Sequence, residues 1–388
     1  MAQAAKAKRR KKEQSEYFFD YSLLFIVLFL LGFGLVMIYS ASSYNAYEDY
    51  KDTAYYLKKQ LIAVVIGLVL MIVVANIPYR FWARFYLIGY LVSAASIPLV
   101  LTPLGQSSHG ATRWIIIPII NMSMQPAELA KLGMILFLAV LVCKMGKGIR
   151  SLKGFAVMVA FPLPVALEVY LITDNMSSAI IILAISILMV FVASPDYKKF
   201  IIMAAAVMAV AALLIFLVVS GSDILEFRGS RIRAWLDPES DPTDTGFQTL
   251  QGLYAIGSGG VLGKGLGQSM QKLNFLPEAQ NDMIFSIICE ELGLFGAIAI
   301  IVMFVMLLWR MMVIANNAPD LFGAMLVVGV MGHIAVQAIL NIAVVTATIP
   351  NTGISLPFIS YGGTSVMFLL IEIGLVLSVA RKIQLKEL

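Results

Sequence analysis

The sequence is short of charged residues, cysteine and histidine. Charged side chains make up 13% of the 388 residues, about half the share found in soluble globular proteins. This shortage excludes a water-soluble domain, a disordered chain and a coiled coil. The two cysteines, Cys143 and Cys289, give neither a metal-binding spacing nor a disulfide framework. Two histidines, His109 and His333, are too few to favour a histidine-based metal site.

Long apolar runs make up most of the chain instead. Hydrophobic residues account for 60% of it, and a helix that crosses a bilayer needs about 20 apolar residues. The sequence therefore predicts an all-α polytopic membrane protein with ten transmembrane helices and one large loop, 221–282, between the seventh and eighth. The ten predicted spans are 22–41, 60–77, 81–102, 127–145, 154–173, 176–194, 200–220, 283–309, 321–345 and 358–380.

Lysine and arginine are distributed unevenly between the two sides of these spans. Eighteen lie on the side of the N-terminus and nine on the opposite side, and cytoplasmic loops carry the excess of positive charge. We therefore expect both termini in the cytoplasm and the large loop outside. The predicted organisation is a basic cytoplasmic tail at 1–21, a membrane domain at 22–380 and a cytoplasmic tail at 381–388.

The N-terminal tail carries six basic residues within 1–12. The net charge of +5 could indicate a nucleic-acid partner, but a basic cluster before a span is typical of an anchor beside anionic lipid. We therefore expect no nucleic acid to bind. A cleavable signal peptide is not expected either, because the first apolar run is too long and no small-residue cleavage site follows it.

Charged residues inside predicted spans are functional candidates because burying them in lipid is costly. Glu128 and Lys131 are three residues apart on one helix face and can form an ion pair. The pair either locks helix packing or places Lys131 at the mouth of a cavity, where it meets an anionic group. Asp174, at a short outer turn, is expected to cap a helix N-terminus. Glu372, within the last span, has no evident partner.

The loop 221–282 contains a glycine-rich segment at 257–267. The segment resembles a phosphate-binding loop, but Ser258 stands where the Walker pattern needs glycine, and Gly265 stands where it needs serine or threonine. We therefore expect a re-entrant or loop segment that lines a polar cavity.

The same loop ends at Asp282, directly before the eighth predicted span. Two interpretations are open. Asp282 is either the N-cap of that helix or a partly desolvated carboxylate with a raised pKa that acts as a general base. Glu290 and Glu291 follow two turns further along the predicted helix.

Several short motifs occur in one order along nearly the whole chain. They are Tyr39-Ser40-Ala41-Ser42, Gly110-Ala111-Thr112-Arg113-Trp114, Gln125-Pro126-Ala127-Glu128 with Lys131, Gly263-Lys264-Gly265-Leu266-Gly267, Leu276-Pro277-Glu278 with Asp282, Glu290-Glu291-Leu292-Gly293, and Leu356-Pro357-Phe358-Ile359-Ser360-Tyr361-Gly362-Gly363. Together they resemble the SEDS family (shape, elongation, division and sporulation) of polytopic peptidoglycan polymerases. Each motif is weak alone, but their common order is specific.

The resemblance implies a peptidoglycan glycosyltransferase that uses lipid II at the outer face of the bacterial cytoplasmic membrane. It favours a role in division or sporulation, with an elongation-type polymerase as the alternative. It identifies Asp282 as the catalytic base, which takes the proton of the attacking GlcNAc 4-hydroxyl. The residues that it implies for substrate binding are Arg113, Glu128, Lys131, Arg228, Arg231, Gln248, Gln251, Lys264 and Glu290.

The resemblance also implies protein partners, but it identifies no definite cofactor. The expected partners are a cognate class B penicillin-binding protein, which is a transpeptidase, and other membrane proteins of the divisome. A divalent cation, Mg²⁺ or Mn²⁺, on the substrate's diphosphate is compatible with it.

Two other functions fit the composition. One is a flippase for lipid II, and the other is a scaffold that only recruits the transpeptidase. The predicted position of Asp282 and of the loop cations outside the membrane favours the enzyme. A transporter is expected to place its key charges near the midplane, between repeated halves, and no repeat is evident in the sequence.

Overall fold

The computed structural model describes residues 19–108, 111–117, 122–194, 196–220, 226–240 and 245–383. Within them, ten helices are long and apolar enough to cross a membrane, which confirms the predicted number of spans. Two shorter helices lie in the large loop. The helices are α1 (Tyr21–Tyr50), α2 (Tyr55–Asn76), α3 (Tyr79–Leu101), α4 (Pro126–Met145), α5 (Leu152–Thr173), α6 (Met176–Ala193), α7 (Tyr197–Val219), α8 (Glu226–Leu236), α9 (Thr245–Gly259), α10 (Ile284–Asn316), α11 (Leu321–Val345) and α12 (Gly363–Ala380).

The predicted tails fall mostly on residues that the structure does not describe. These are 1–18 of the N-terminal tail and 384–388 of the C-terminal tail. His109 and Gly110 of the second motif also lie outside the described residues. The division into two tails and a membrane domain therefore stays a prediction.

The spanning helices have the form that a bilayer requires. Because lipid offers no hydrogen-bond partners, a spanning segment must pair its peptide groups internally, as an α-helix does. The last helix begins at Gly363, later than the predicted residue 358. Phe358 has φ 64°, in the left-handed region, so this apolar stretch turns before the helix starts.

Small residues bring some of the spans very close together. A Cβ atom added at Gly374 of α12 would lie 2.7 Å from the carbonyl oxygen of Met71 on α2. Close backbone approach at glycine is a common way for helices to associate in lipid. The hydrophobic effect does not drive this association, because lipid tails are as apolar as the helix surfaces.

Contacts at the helix ends define two opposite faces of the molecule. Arg310, near the end of α10, forms a 2.7 Å ion pair with Asp20, which directly precedes α1. Arg381, after α12, donates to the side chain of Asn76 at 2.5 Å. We call this end the terminal face. Asp282, at the other end of α10, therefore lies on the opposite end, which we call the loop face.

A small antiparallel sheet lies on the loop face between α3 and α4. Its strands are β1 (Gly105–Ser108), β2 (Ala111–Ile117) and β3 (Met122–Met124), in the order β1-β2-β3. The all-α prediction did not include this sheet. Its apolar residues 115–117 are too few for a span, and as β-branched isoleucines they favour a strand. The sheet carries Arg113.

Candidate active site

Asp282 has a buried carboxyl oxygen without a partner. The residue is partly exposed, but its Oδ1 atom is shielded from solvent, and no described residue forms a hydrogen bond with it. The N-cap of α10 is Met283, which makes no side-chain capping bond. The interpretation of Asp282 as an N-cap is therefore wrong. A buried polar atom without a partner costs free energy, so this carboxyl is available to a ligand.

The surroundings of Asp282 favour its protonated form. Burial raises the pKa of Asp282 to about 7, and the neighbouring carboxylate of Glu278 adds to this rise. The backbone N–H groups of Asp282 and Met283, together with Arg113, act in the opposite direction on its pKa. A carboxyl whose pKa lies near neutrality is well suited to accept a proton during a reaction.

Arg113 is held at the end of α5, where its charge acts on Asp282. Its Nε atom donates to the carbonyl oxygen of Thr173 at 3.3 Å, and its second terminal nitrogen donates to that of Asp174 at 3.0 Å. Burial lowers the pKa of Arg113, and the like charge of Arg231 lowers it further, while Asp174 and Asp282 raise it. Two guanidinium groups close together form a site that attracts an anion such as a diphosphate.

The turn between α5 and α6 differs from the prediction for Asp174. Asp174 ends α5 with φ 51°, in the left-handed conformation, which aspartate tolerates better than most residues. The N-cap of α6 is Asn175, whose side chain accepts a hydrogen bond from Ser178 N at 3.0 Å. The predicted N-cap role of Asp174 is therefore wrong by one residue.

The Glu128–Lys131 pair forms as predicted. Lys131 Nζ lies 2.8 Å from Glu128 Oε1 and 3.2 Å from Gln337 Oε1 on α11. Only 1% of the Lys131 side chain is exposed, so the ammonium group lies deeper than the cavity mouth that the functional interpretation placed it at. Glu128 Oε2 is buried and has no hydrogen-bond partner among the described residues.

Two further carboxylates, at the start of α10, bind lysines of the preceding loop. Lys264 Nζ lies 2.7 Å from Glu290, which is fully buried. Lys272 Nζ lies 2.9 Å from Glu291, which also accepts a 2.7 Å hydrogen bond from Ser40 of α1. Lys264 and Glu290 were both predicted site residues, although not as a pair. Lys272 was not predicted, because its spacing from Glu291 carries no signal of a pair.

The glycine-rich segment packs against a break in α10, and its predicted place in the lining of a polar cavity stays a prediction. Gly293 interrupts the helix with φ 67°. Lys264 N donates to the carbonyl oxygen of Glu290 at 2.9 Å, and Leu294 N donates to that of Gly260 at 2.9 Å. The segment thus satisfies peptide groups that the break leaves without helical partners.

The remaining predicted site residues lie on the two loop helices. Gln248 of α9 accepts a 2.7 Å hydrogen bond from Asn351 and donates to the carbonyl oxygen of Pro277 at 3.4 Å. It therefore joins the segment before Asp282 to the α11–α12 loop. Gln251 is half-buried on the same helix. Arg228 lies on α8, and its side chain is outside the described part of the structure.

A polar stripe on α11 was missed by the sequence analysis. His333, Gln337 and Asn341 are four residues apart and share one helix face. Asn341 Nδ2 donates to the main-chain oxygen of Asp282 at 2.7 Å. His333 Nδ1 lies 2.8 Å from Glu372 Oε2, which gives that carboxylate its partner. The i, i+4, i+8 spacing was a signal, but Glu372 is 39 residues from His333, too far for any local pattern.

Comparisons with known proteins agree with the motifs. The profile of a family described as cell cycle protein, covering FtsW, RodA and SpoVE, matches residues 21–385. The "Probable peptidoglycan glycosyltransferase FtsW" of Trichlorobacter lovleyi is 39% identical over 371 residues, which cover 95% of each chain. The "Stage V sporulation protein E" of Bacillus subtilis is 38% identical over 366 residues, which cover 93% of this chain and 97% of that one.

Two solved structures share the fold. A chain from a study of how a peptidoglycan synthase complex coordinates polymerization and crosslinking superposes with a TM-score of 0.77 at 26% identity, covering 95% of this chain and 99% of that one. The rod shape determining protein RodA of Thermus thermophilus gives a TM-score of 0.68 at 25% identity, covering 95% and 98%. The polytopic membrane protein described here therefore belongs to the FtsW, RodA and SpoVE family.

Proposed function

We propose that this protein is a peptidoglycan glycosyltransferase that polymerises lipid II into glycan strands during division or sporulation. The observation that carries the proposal is the Asp282 carboxyl, which has an unpartnered buried oxygen, a pKa raised to about 7 and an electrostatic interaction with Arg113, which in turn interacts with Arg231. The names of the similar proteins, a glycosyltransferase FtsW and a stage V sporulation protein, support the same reaction and the same cellular roles.

In the proposed reaction, the GlcNAc 4-hydroxyl of one lipid II attacks the anomeric carbon of a strand carried on undecaprenyl diphosphate. The new glycosidic C–O bond forms as the C–O bond to the diphosphate breaks. Asp282 accepts the hydroxyl proton, and undecaprenyl diphosphate leaves. Arg113 and Arg231 stabilise the negative charge that develops on the leaving group. Arg228 lies on the same loop helix as Arg231, and we assign it the same role.

The lysines and the other polar residues support this centre. One third of the Lys264 side chain is exposed, so Lys264 is a further candidate contact for the diphosphate, with Glu290 holding it in place. Lys131 and Glu128 lie deeper in the helix bundle, and we assign them a supporting role towards the diphosphate from that position. Gln248 and Gln251 lie on α9. Gln248 donates a hydrogen bond to the carbonyl oxygen of Pro277, in the loop that ends at Asp282.

A divalent cation would have to take most of its ligands from the substrate. The described residues contain no group of three or more Asp, Glu, His or Cys side chains that could hold a metal ion. Mg²⁺ is often bound by one or two carboxylates together with substrate phosphates. Asp282 and Glu278 are the carboxylates in a position to contribute to such a site.

The proposed location is the bacterial cytoplasmic membrane, with both termini in the cytoplasm and the loop face outside. The excess of lysine and arginine on the side of the terminal face supports this orientation. A class B penicillin-binding protein is the proposed partner, because a similar chain occurs in a peptidoglycan synthase complex. Other membrane proteins of the divisome are proposed as further partners.

One experiment separates polymerisation from flipping. A lipid II flippase is the second candidate, because Lys131 and Glu372 are buried charged groups within spans. The purified protein is placed in vesicles with labelled lipid II, glycan strands are read on a gel, and transfer between leaflets is measured in parallel. We expect strands without flipping. Flipping without strands would show that the protein is a transporter.

A further inference from the structure

Five buried polar side chains from α4, α11 and α12 form one hydrogen-bonded network. They are Glu128, Lys131, His333, Gln337 and Glu372, and none is more than 5% exposed. Polar groups inside a membrane protein are costly unless they are paired, and a network of this kind is favourable only when its donors and acceptors match. The positions of the hydrogens can therefore be worked out from the partners.

The Gln337 side chain can have only one orientation. Its Nε2 atom lies 3.0 Å from the carbonyl oxygen of Ser355, which can only accept a hydrogen bond. Its Oε1 atom therefore faces Lys131 Nζ at 3.2 Å and His333 Nε2 at 2.9 Å. Because Oε1 can only accept, His333 Nε2 must carry a hydrogen.

This tautomer fixes the contact between His333 and Glu372. His333 Nδ1 lies 2.8 Å from one carboxyl oxygen and 3.0 Å from the other. A neutral imidazole with its hydrogen on Nε2 would direct a lone pair from Nδ1 at a carboxylate, which is repulsive. One proton must therefore lie between Nδ1 and Glu372, so the pair as a whole has no net charge and His333 Nε2 always donates to Gln337.

Lys131 is the end point of this chain of contacts. Its ammonium group has three hydrogens, and the described residues accept two of them, at Glu128 and Gln337. Among the described residues, no further acceptor is found for the third hydrogen, and Glu128 Oε2 has no hydrogen-bond partner. One turn further along α11, Asn341 holds the main chain of Asp282.

We propose that His333 and Glu372 are positioning residues for glycosyl transfer. The proton that they share keeps His333 Nε2 as a donor, this donor fixes Gln337 Oε1, and Gln337 with Glu128 aims the Lys131 ammonium group towards the substrate's diphosphate. This inference rests on the proposed function. It assigns a role in the reaction to a pair that contacts neither substrate nor Asp282.

Two variants of the pair give opposite expectations. In Glu372→Gln, the new amide N–H donates to His333 Nδ1, Nε2 keeps its hydrogen, and kcat should stay within about twofold of wild type. The double change His333→Leu with Glu372→Leu removes the pair without leaving a buried charge, which is often neutral or stabilising for the fold. We expect its melting temperature to be kept, its kcat to fall about tenfold, and its KM for lipid II to change little.

A double-mutant cycle tests the route through Lys131. In a Lys131→Met background, the two leucine changes should cause no further fall in the residual kcat, because the group that they position is absent. The matched control is Asp20→Asn with Arg310→Met, which removes a partly buried ion pair at the terminal face and should leave kcat unchanged.

The outcomes separate this inference from the proposed function. If wild type makes no glycan strands, the proposed function is wrong. If wild type polymerises and the leucine pair does so equally fast, or if it slows the Lys131→Met background by the same factor, the positioning role is wrong. Should the leucine pair fail to insert, His333→Asn with Glu372→Gln replaces it. Both of its side chains are neutral, and asparagine is too short to reach Gln337, so the same tenfold fall is expected.

Discussion

At the scale of single residues, Asp282 differs from an ordinary loop aspartate in what surrounds it. Its Oδ1 atom is buried without a partner, and burial raises its pKa to about 7. Asp52, on the same loop face, is also partly exposed, but its carboxylate forms a hydrogen bond with Lys58, which lowers its pKa. The two aspartates therefore form a natural comparison for mutagenesis.

We predict that Asp282→Asn abolishes catalysis without affecting the fold. Asparagine keeps the size of the side chain but cannot accept a proton at neutral pH, so strand synthesis should fall by about 10²–10⁴-fold. Rates are measured with purified protein and labelled lipid II, alongside melting temperature. Asp52→Asn is the control and should polymerise normally. Near-normal strand synthesis by the Asp282→Asn variant would show that Asp282 is not the catalytic base.

We predict that the rate rises with pH through about 7, because the base must be deprotonated to accept the hydroxyl proton. Changes at two neighbours should shift the pH of this rise in opposite directions. Glu278 raises the pKa of Asp282, so the rate of Glu278→Gln should rise at a lower pH. Arg113 lowers the pKa of Asp282, so the rate of Arg113→Gln should rise at a higher pH. Rates of strand synthesis between pH 5 and 9, a range of about two units either side of neutral, measure both shifts. Two shifts in the same direction would contradict the assignment.

The sequence predicted those parts of the site that depend on short spacings. Glu128 and Lys131 are one helical turn apart, so their pairing follows from helix geometry. The partners of Glu372 and Glu291, namely His333 and Lys272, come from distant segments that only the folded bundle brings together. The raised pKa of Asp282 likewise depends on burial by other elements, which a local pattern does not reveal.

At the scale of elements, the break in α10 explains the glycines of the large loop. Gly293 has a positive φ, and a Cβ added there would lie 2.3 Å from Gly263 N. The sequence showed an unusual concentration of glycine and excluded a Walker loop. It could not show that the segment packs against a helix, because the partner peptide groups belong to an otherwise regular apolar span.

We predict that Gly293→Ala destabilises the protein and reduces polymerisation. A left-handed residue with a side chain costs about 1–2 kcal/mol, and the clash with Gly263 adds to it. The melting temperature should fall, and so should the yield of folded protein. Gly257→Ala is the matched control, since Gly257 lies within α9 and no atom lies within 4 Å of its added Cβ. That variant should melt at the wild-type temperature or slightly above, because alanine favours a helix by about 0.5–1 kcal/mol. An equal loss in both variants would contradict the role given to the break.

At the scale of the whole molecule, the number of spans could be predicted because a bilayer sets the length of every crossing helix. The three-stranded sheet was missed because hydropathy reports apolar length, and its strands are short. The two faces are a structural result. They follow from contacts such as the ion pair between Asp20 and Arg310, which joins the residue before α1 to the C-terminal part of α10.

The last prediction concerns which face lies outside the cell. In a background with Cys143→Ser and Cys289→Ala, single cysteines replace Gln268 on the loop face and Asn317 on the terminal face, both of which are exposed. A membrane-impermeant maleimide added to intact cells should label the first variant, and the second only after permeabilisation, because 18 of the 28 lysines and arginines lie on the side of the terminal face. The reverse pattern would place Asp282 in the cytoplasm. Strand synthesis at the outer surface would then be impossible for this site, even if purified protein polymerised lipid II in detergent.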